Sequence, residues 1–93
     1  MTDLEKLIVL KKDLQLLTDV NDDYLLYLIP LAKSAIRTEG IILKENDIEC
    51  DMAVIQYAAY LFRKRASNEA GMPRYLRYQL NNLLFKQKAG ASE

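Results

Sequence analysis

Residues 51–65 read DMAVIQYAAYLFRKR, and this stretch decides the fold of the chain. From Met52 to Phe62 every side chain except that of Gln56 is apolar, aromatic or alanine. A helix on a protein surface carries one apolar stripe about 100° wide, whereas this segment is apolar on nearly all sides. We therefore predict a central helix that other helices surround.

The same stretch ends in three consecutive cations, Arg63, Lys64 and Arg65. Positive charge is stabilised at the C-terminal end of a helix, so a solvated cap is one interpretation. The other is a basic rim that faces nucleic acid or an acidic partner. Both interpretations stay open from these residues alone.

The composition argues against an enzyme. The chain has 93 residues, enough for one domain with a modest core, and burial through self-association would add stability. Its single cysteine and the absence of histidine leave almost no ligands for zinc or haem and remove the commonest general base. No apolar run is long enough for a bilayer, and no signal-peptide pattern opens the chain. We expect a soluble protein of the reducing cytoplasm, without catalytic residues, cofactor or metal.

Charge is unevenly distributed along a chain whose formal net charge is zero. Residues 1–52 contain six basic and eleven acidic side chains, whereas residues 53–93 contain seven and two. Such opposed halves would suit head-to-tail assembly, in which an acidic surface meets the basic surface of the next copy. A nucleic-acid-binding domain usually carries net positive charge, which is absent here.

Capping and stop signals predict an all-α bundle of four helices, at about residues 3–17, 22–39, 47–66 and 73–86. Thr2 with Glu5, and Asn46 with Glu49, fit the capping-box pattern, and Gly40 provides a stop for the second helix. Pro73 suits the first turn of the fourth helix. We expect one domain, with a flexible C-terminal tail from about residue 88.

Helical spacing also predicts which side chains form the core. The pattern of the second helix stays in phase on both sides of Pro30, which favours one kinked helix over two short ones. Residues 41–43 are expected to fold back onto the core. The core positions predicted on the first, second and fourth helices are Leu4, Leu7, Ile8, Leu14 and Leu17; Tyr24, Leu25, Leu28, Leu31, Ala32, Ala35 and Ile36; and Tyr75, Leu76, Leu80, Leu83, Leu84 and Phe85.

An acid-rich turn separates the first two helices and contains Asp19, Asp22 and Asp23. A calcium-binding EF-hand loop counted from Asp19 needs Gly and Glu where Tyr24 and Pro30 stand, so we reject that reading. We expect the acids to cap and stabilise the start of the second helix.

Tyrosines recur three residues apart on three helices, and residues at that spacing share a helix face. Two interpretations remain open: they line the edge of the core, or they form a protein–protein contact, where tyrosine is enriched. The pairs are Tyr24 and Tyr27, Tyr57 and Tyr60, and Tyr75 and Tyr78.

Two parts of the chain carry a family resemblance over roughly residues 3–88. The first is LEKLIVLKKDLQL followed by DVNDDYLLYLIPLAKSAIRTEG, and the second is YAAYLFRKRASNEAG followed by MPRYLRYQLNNLLF. Their order resembles the small helical head–tail connector (adaptor) proteins of long-tailed bacteriophages, also described as DNA-packaging proteins. Pro30 and the short C-terminal tail depart from the family pattern.

The resemblance implies a structural virion protein at the head–tail junction, assembled in the host cytoplasm. Its subunits would form a ring of about a dozen copies beneath the portal protein, extend the DNA channel and provide the docking surface for a stopper or tail-completion protein. Genomic DNA would pass through without sequence readout, and no membrane would be involved. The candidate contacts with a neighbouring subunit, the portal or DNA are Arg63, Lys64, Arg65, Arg74, Arg77, Lys86 and Lys88, and the candidate acidic counter-surface is Asp19, Asp22 and Asp23.

Two other functions fit parts of the sequence. A small helix-turn-helix DNA-binding regulator would use helix 74–86 for recognition. Against it stand the neutral charge and a loop of about six residues, where a helix-turn-helix has three or four. The second alternative is a helical protein–protein adaptor unrelated to phages. The side chains available to a recognition helix would be Arg74, Arg77, Gln79, Asn81 and Asn82.

Overall fold

The computed structural model describes residues 1–66 and 71–91. It contains the helices α1 (Asp3–Asp13), α2 (Asp22–Thr38), α3 (Ile48–Ala66) and α4 (Arg74–Ala91), and no strand within the described ranges. Helix α3 packs against each of the other three helices, and α1 also packs against α2. The predicted small all-α bundle around a central third helix is confirmed.

The middle of α3 is enclosed as its composition predicts. None of its side chains from Met52 to Phe62 is exposed, and Ala58 and Ala59 are completely buried. One cluster of buried apolar side chains connects all four helices. Its members are Leu7, Leu10, Leu25, Leu28, Ile29, Ala32, Ile36, Ile41, Cys50, Ala53, Val54, Ile55, Ala58, Ala59, Leu76, Leu80 and Leu83.

Helix α1 is shorter than predicted because the chain turns sharply after Asp13. Gln15 has a φ of 59°, in the left-handed region. Its amide donates to the carbonyl of Lys12, and the amide of Leu16 donates to the carbonyl of Lys11. This pair of hydrogen bonds is the Schellman arrangement that ends a helix. Leu17, predicted as a core residue of α1, therefore lies beyond the helix and is 98% exposed.

Several other residues predicted to lie in the core are also exposed. Leu4 and Ile8 on α1 are exposed because Lys6, Leu7 and Leu10 form the buried side of that helix. On α2 the buried stripe includes Ile29, and Leu31 lies outside it. On α4 Leu76, Leu80 and Leu83 face the core, which turns Tyr75 and Phe85 outwards.

The helix ends show which capping predictions hold. The Thr2–Glu5 capping box is present, and Gly40 follows α2 with a φ of 93°. Helix α2 continues through Pro30 as a single helix. The acids predicted to cap α2 do not do so. The N-cap residue is Asn21, which makes no side-chain cap hydrogen bond, and two of the acids lie in the first turn of the helix.

The predicted capping box at the start of α3 is also wrong. Asn46 has a φ of 59°, and it is the Asp47 carboxylate that accepts hydrogen bonds from the amides of Glu49 and Cys50. The side chain of Glu49 instead pairs with Lys86 on α4. The cap is thus displaced by one residue, and α3 begins at Ile48.

Helix α4 continues past its predicted end at Lys86 and reaches Ala91. The tail predicted from about residue 88 is therefore helical as far as Ala91, while residues 92–93 lie outside the described part. Residues 67–70 of the predicted loop also lie outside it. In the connection before α3, Ile41 is buried as expected, but Ile42 is 65% exposed, with its backbone hydrogen-bonded to the side chain of Gln87.

Candidate assembly surfaces

The three cations at the end of α3 all contact other groups of the same chain. Arg63 approaches the Asp13 carboxylate at 3.5 Å. Lys64 lies 5.8 Å from the ring centroid of Tyr60, and the Arg65 guanidinium lies 4.4 Å from that of Tyr24, both within range of a cation–π interaction. Arg63, Lys64 and Arg65 nevertheless remain exposed and form a basic rim at the end of α3. The contacts within the chain orient their side chains.

Two of the four predicted cations on α4 are also paired within the chain. Arg77 donates to both carboxylate oxygens of Glu39, at 2.5 and 3.0 Å, and this bidentate bond raises the Arg77 pKa. Lys86 donates to Glu49 at 2.9 Å. Arg74 and Lys88, near the two ends of the helix, are exposed and have no ion-pair partner among the described residues.

The residues predicted to form an acidic counter-surface are also partly paired within the chain. Lys11 donates to Asp19 at 2.7 Å and lies 2.9 Å from Asp22, and these contacts raise the Lys11 pKa. The hydrogen bond from Lys11 lowers the Asp19 pKa. Asp23 is exposed and makes no ion pair within the described part of the chain. The ion pairs of Arg63, Arg77 and Lys86 join the acidic and basic halves, so much of the charge asymmetry is neutralised internally.

A groove runs along the outer side of α4, with a volume of about 690 Å³. Three exposed aromatic side chains, Tyr75, Tyr78 and Phe85, provide its apolar surface. The Oε1 atom of Gln79 is buried in its wall without a hydrogen-bond partner among the described residues. We call this surface the α4 face; its lining residues are Glu49, Tyr75, Tyr78, Gln79, Asn82, Leu83, Phe85 and Lys86.

A second apolar surface lies at the turn between α1 and α2. Leu17 and Val20 are 98% and 84% exposed, more than any other large apolar side chain in the described part of the chain. Asp19 and Asp23 flank them and are exposed as well. We call residues 17–23 the α1–α2 tip. It is apolar and acidic, whereas the α4 face is aromatic and close to the exposed cations Arg74 and Lys88.

Sequence reasoning missed a buried ionic network between α1 and α3. Lys6 and Asp51 are 5% and 6% exposed, and their charged atoms lie 3.7 Å apart. The amino group of Met1 lies 3.1 Å from Asp51, and Asp3 joins Lys6 to Lys33. The acid at the start of an apolar helix was a signal for this network, but helical spacing on α1 gave no reason to bury a lysine.

Sequence reasoning also placed Tyr75 and Phe85 in the core, although the signal for the α4 face was present. The apolar residues of α4 fall into two groups, because Leu76, Leu80 and Leu83 recur at core spacing while Tyr75, Tyr78 and Phe85 lie elsewhere around the helix. A single apolar stripe would not contain both groups. The second group is the outward aromatic surface.

Comparisons with protein-family models, with characterised proteins and with solved structures found no match to this chain. Within the described residues, no group of three His, Cys, Asp or Glu side chains is arranged to hold a metal ion. No helix in the described ranges is long and apolar enough to cross a membrane. The surfaces themselves therefore provide the evidence on function.

Proposed function

We propose that this chain is a structural subunit of a head–tail connector ring in a long-tailed bacteriophage. The ring would bind the portal protein, extend its DNA channel and provide the docking surface for a stopper or tail-completion protein. The observation that supports this most is the pair of exposed apolar surfaces, the α4 face and the α1–α2 tip, which differ in charge. A ring of identical subunits needs a heterologous contact, in which two different surfaces of one subunit meet.

The state of the cations supports a channel through which DNA slides. Affinity for DNA rises with the number of phosphates that lysine and arginine neutralise. Here Arg63, Arg77 and Lys86 form ion pairs within the chain, and Lys64 and Arg65 lie over aromatic rings. Of the seven candidate cations, Arg74 and Lys88 alone lack such a contact among the described residues, so this group would hold passing DNA weakly.

The same contacts weigh against the DNA-binding regulator. Of the side chains that a recognition helix would offer to bases, Arg77 is bonded to Glu39 and the Oε1 atom of Gln79 is buried. The outer surface of α4 instead presents Tyr75, Tyr78 and Phe85. Aromatic side chains are typical of protein interfaces.

The test is the oligomeric state of the full-length protein, alone and mixed with the portal protein from the same genome. Sedimentation velocity and light scattering should show rings or a complex that sediments with the portal, and portal alone is the control. A protein that stays monomeric in both samples, and that retards duplex DNA at physiological salt, would contradict the proposal and favour the regulator.

A further inference from the structure

The α4 face is unsuited to pairing with the same face of another copy. Helix α4 contains no acidic residue between Arg74 and Ala91, and the acid that lines the face, Glu49, is already paired with Lys86. In an antiparallel pair of α4 helices, Arg74 of one copy would approach Lys88 of the other, and like charges across an interface are unfavourable. An apolar partner with acidic groups fits this face better.

The α1–α2 tip has that chemistry. Leu17 and Val20 offer two almost fully exposed apolar side chains, and Asp19 and Asp23 offer carboxylates beside them. Apolar side chains with acidic neighbours complement the α4 face, which is aromatic and flanked by cations.

The tip and the α4 face belong to different parts of the subunit. Asp13, just before the tip, contacts Arg63 in the last turns of α3. The α4 face extends to Glu49 and Lys86, beside the first turn of α3. A contact between the tip of one copy and the face of the next is therefore heterologous, and it leaves the face of the first copy and the tip of the second free for further neighbours.

We propose that the α1–α2 tip of one copy inserts Leu17 and Val20 into the groove of the α4 face of the next copy. Asp23 then lies towards the positive charge of Arg74 and Lys88. This inference rests on the proposed ring, because it names the contact by which successive subunits join. The partner is a second copy of this chain.

The first experiment removes the apolar contact without disturbing the fold. The double variant Leu17→Ser/Val20→Ser should melt like the wild-type protein, because both side chains are already exposed. Its self-association, measured by sedimentation velocity or native mass spectrometry, should be at least about tenfold weaker. The matched control is Leu4→Ser/Ile8→Ser, which removes two exposed apolar side chains of α1 and should assemble normally.

The second experiment tests the geometry by disulfide crosslinking. Val20→Cys and Tyr78→Cys proteins are mixed and oxidised mildly; a crosslinked dimer containing one chain of each kind is expected. The control mixture pairs Tyr78→Cys with Lys12→Cys, an exposed position on α1, and should give much less product. Wild-type protein controls for Cys50, which is buried.

The outcomes separate this inference from the proposed function. If the protein forms rings, but the tip variant assembles like the wild type and the Val20–Tyr78 crosslink does not exceed the control, the tip-to-face contact is wrong and the connector ring stands. If no ring or portal complex forms, the proposed function fails. The crosslink yield at high protein concentration then still decides the contact, because equal yields in both mixtures would overturn it.

Discussion

Helices α3 and α4 have 19 and 18 residues and are both rich in apolar side chains, yet they differ in how much of each apolar side chain is exposed to solvent. In α3 no side chain from Met52 to Phe62 is exposed. In α4 Leu80 is 1% exposed, whereas Phe85 is 75% exposed. Apolar content alone thus does not distinguish a helix that completes a core from one that also offers a docking surface. The position of each apolar residue around the helix does.

The two helices also differ in how charge fixes them. The first turn of α3 contains a buried acid, Asp51, that joins this helix to α1. The charged side chains of α4 are all basic, and two of them attach it to the rest of the bundle through Glu39 and Glu49. Burial on nearly all sides holds α3 in the bundle, whereas one apolar side and two ion pairs hold α4.

The largest expected effect tests the enclosure of α3. Ala59→Asp would bury a charge without a partner, at a cost of several kcal/mol against a total stability of about 5–15 kcal/mol. We expect loss of the cooperative thermal transition measured by circular dichroism. Ser34→Asp, at an exposed position of α2, is the control and should fold. An Ala59→Asp protein that melts like the wild type would show that α3 is not enclosed.

The second largest effect on the free energy of unfolding is expected on the buried side of α4, in contrast to its exposed side. Leu80→Ala should lower the free energy of unfolding by about 2–5 kcal/mol, because it removes buried methyl groups and leaves a cavity. Phe85→Ala should change it by less than about 0.5 kcal/mol, because the ring is exposed in the subunit. Urea denaturation of the monomeric subunit measures both. Equal losses would mean that Phe85 packs within the chain.

The buried pair at the start of α3 should give the third effect. Asp51→Asn leaves the Lys6 ammonium without its buried acidic partner and should cost about 3 kcal/mol in the free energy of unfolding. Lys6→Met/Asp51→Leu removes both charges and should recover most of that loss. A double-mutant cycle made of Lys6→Met, Asp51→Leu and the double variant, followed by urea denaturation, measures the coupling. Additive effects of the two single substitutions would rule out the coupling.

The smallest effect concerns acid stability at the contact of α1 with α2. A hydrogen bond from Lys33, at 2.6 Å, lowers the pKa of Asp3 in the folded protein. A lowered folded-state pKa stabilises the fold above the unfolded-state pKa, and this contribution is lost as the pH falls through the folded-state value. Because Asp3 is half-exposed, we expect less than about 1 kcal/mol.

Lys33→Gln removes that contribution, so urea denaturation of this variant and of the wild type should differ at neutral pH. The difference should shrink between about pH 5 and pH 2. Arg37→Gln, which removes an exposed cation of the same helix, is the control and should show no such convergence. A difference that is constant with pH would rule out Asp3 as its source.

The sequence predicts the fold well because apolar spacing and helix signals are local. The all-round apolar character of α3, the Thr2–Glu5 cap and the Gly40 stop all hold. The errors arise where long-range contacts decide. The sharp turn at Gln15 takes Leu17 out of α1, and Tyr75 faces outwards because neighbouring leucines already fill the core.

The candidate surfaces are less predictable for the same reason. Whether Arg77 is free or paired depends on Glu39, which is 38 residues away along the chain. The exposure of Val20 depends on how α1 and α2 meet. Charge type can be read from the sequence, but the partner of each charge is set by tertiary packing.

Burial of Cys50 has a practical consequence for following motion in this protein. It is the one cysteine of the chain, it is 2% exposed, and its thiol donates to the carbonyl of Ile42 at 3.7 Å. Burial raises its pKa, which further slows reaction with thiol reagents in the native state. The rate of labelling at this single site therefore measures how often the segment before α3 separates from the bundle. The native chain thus has a built-in reporter of local opening.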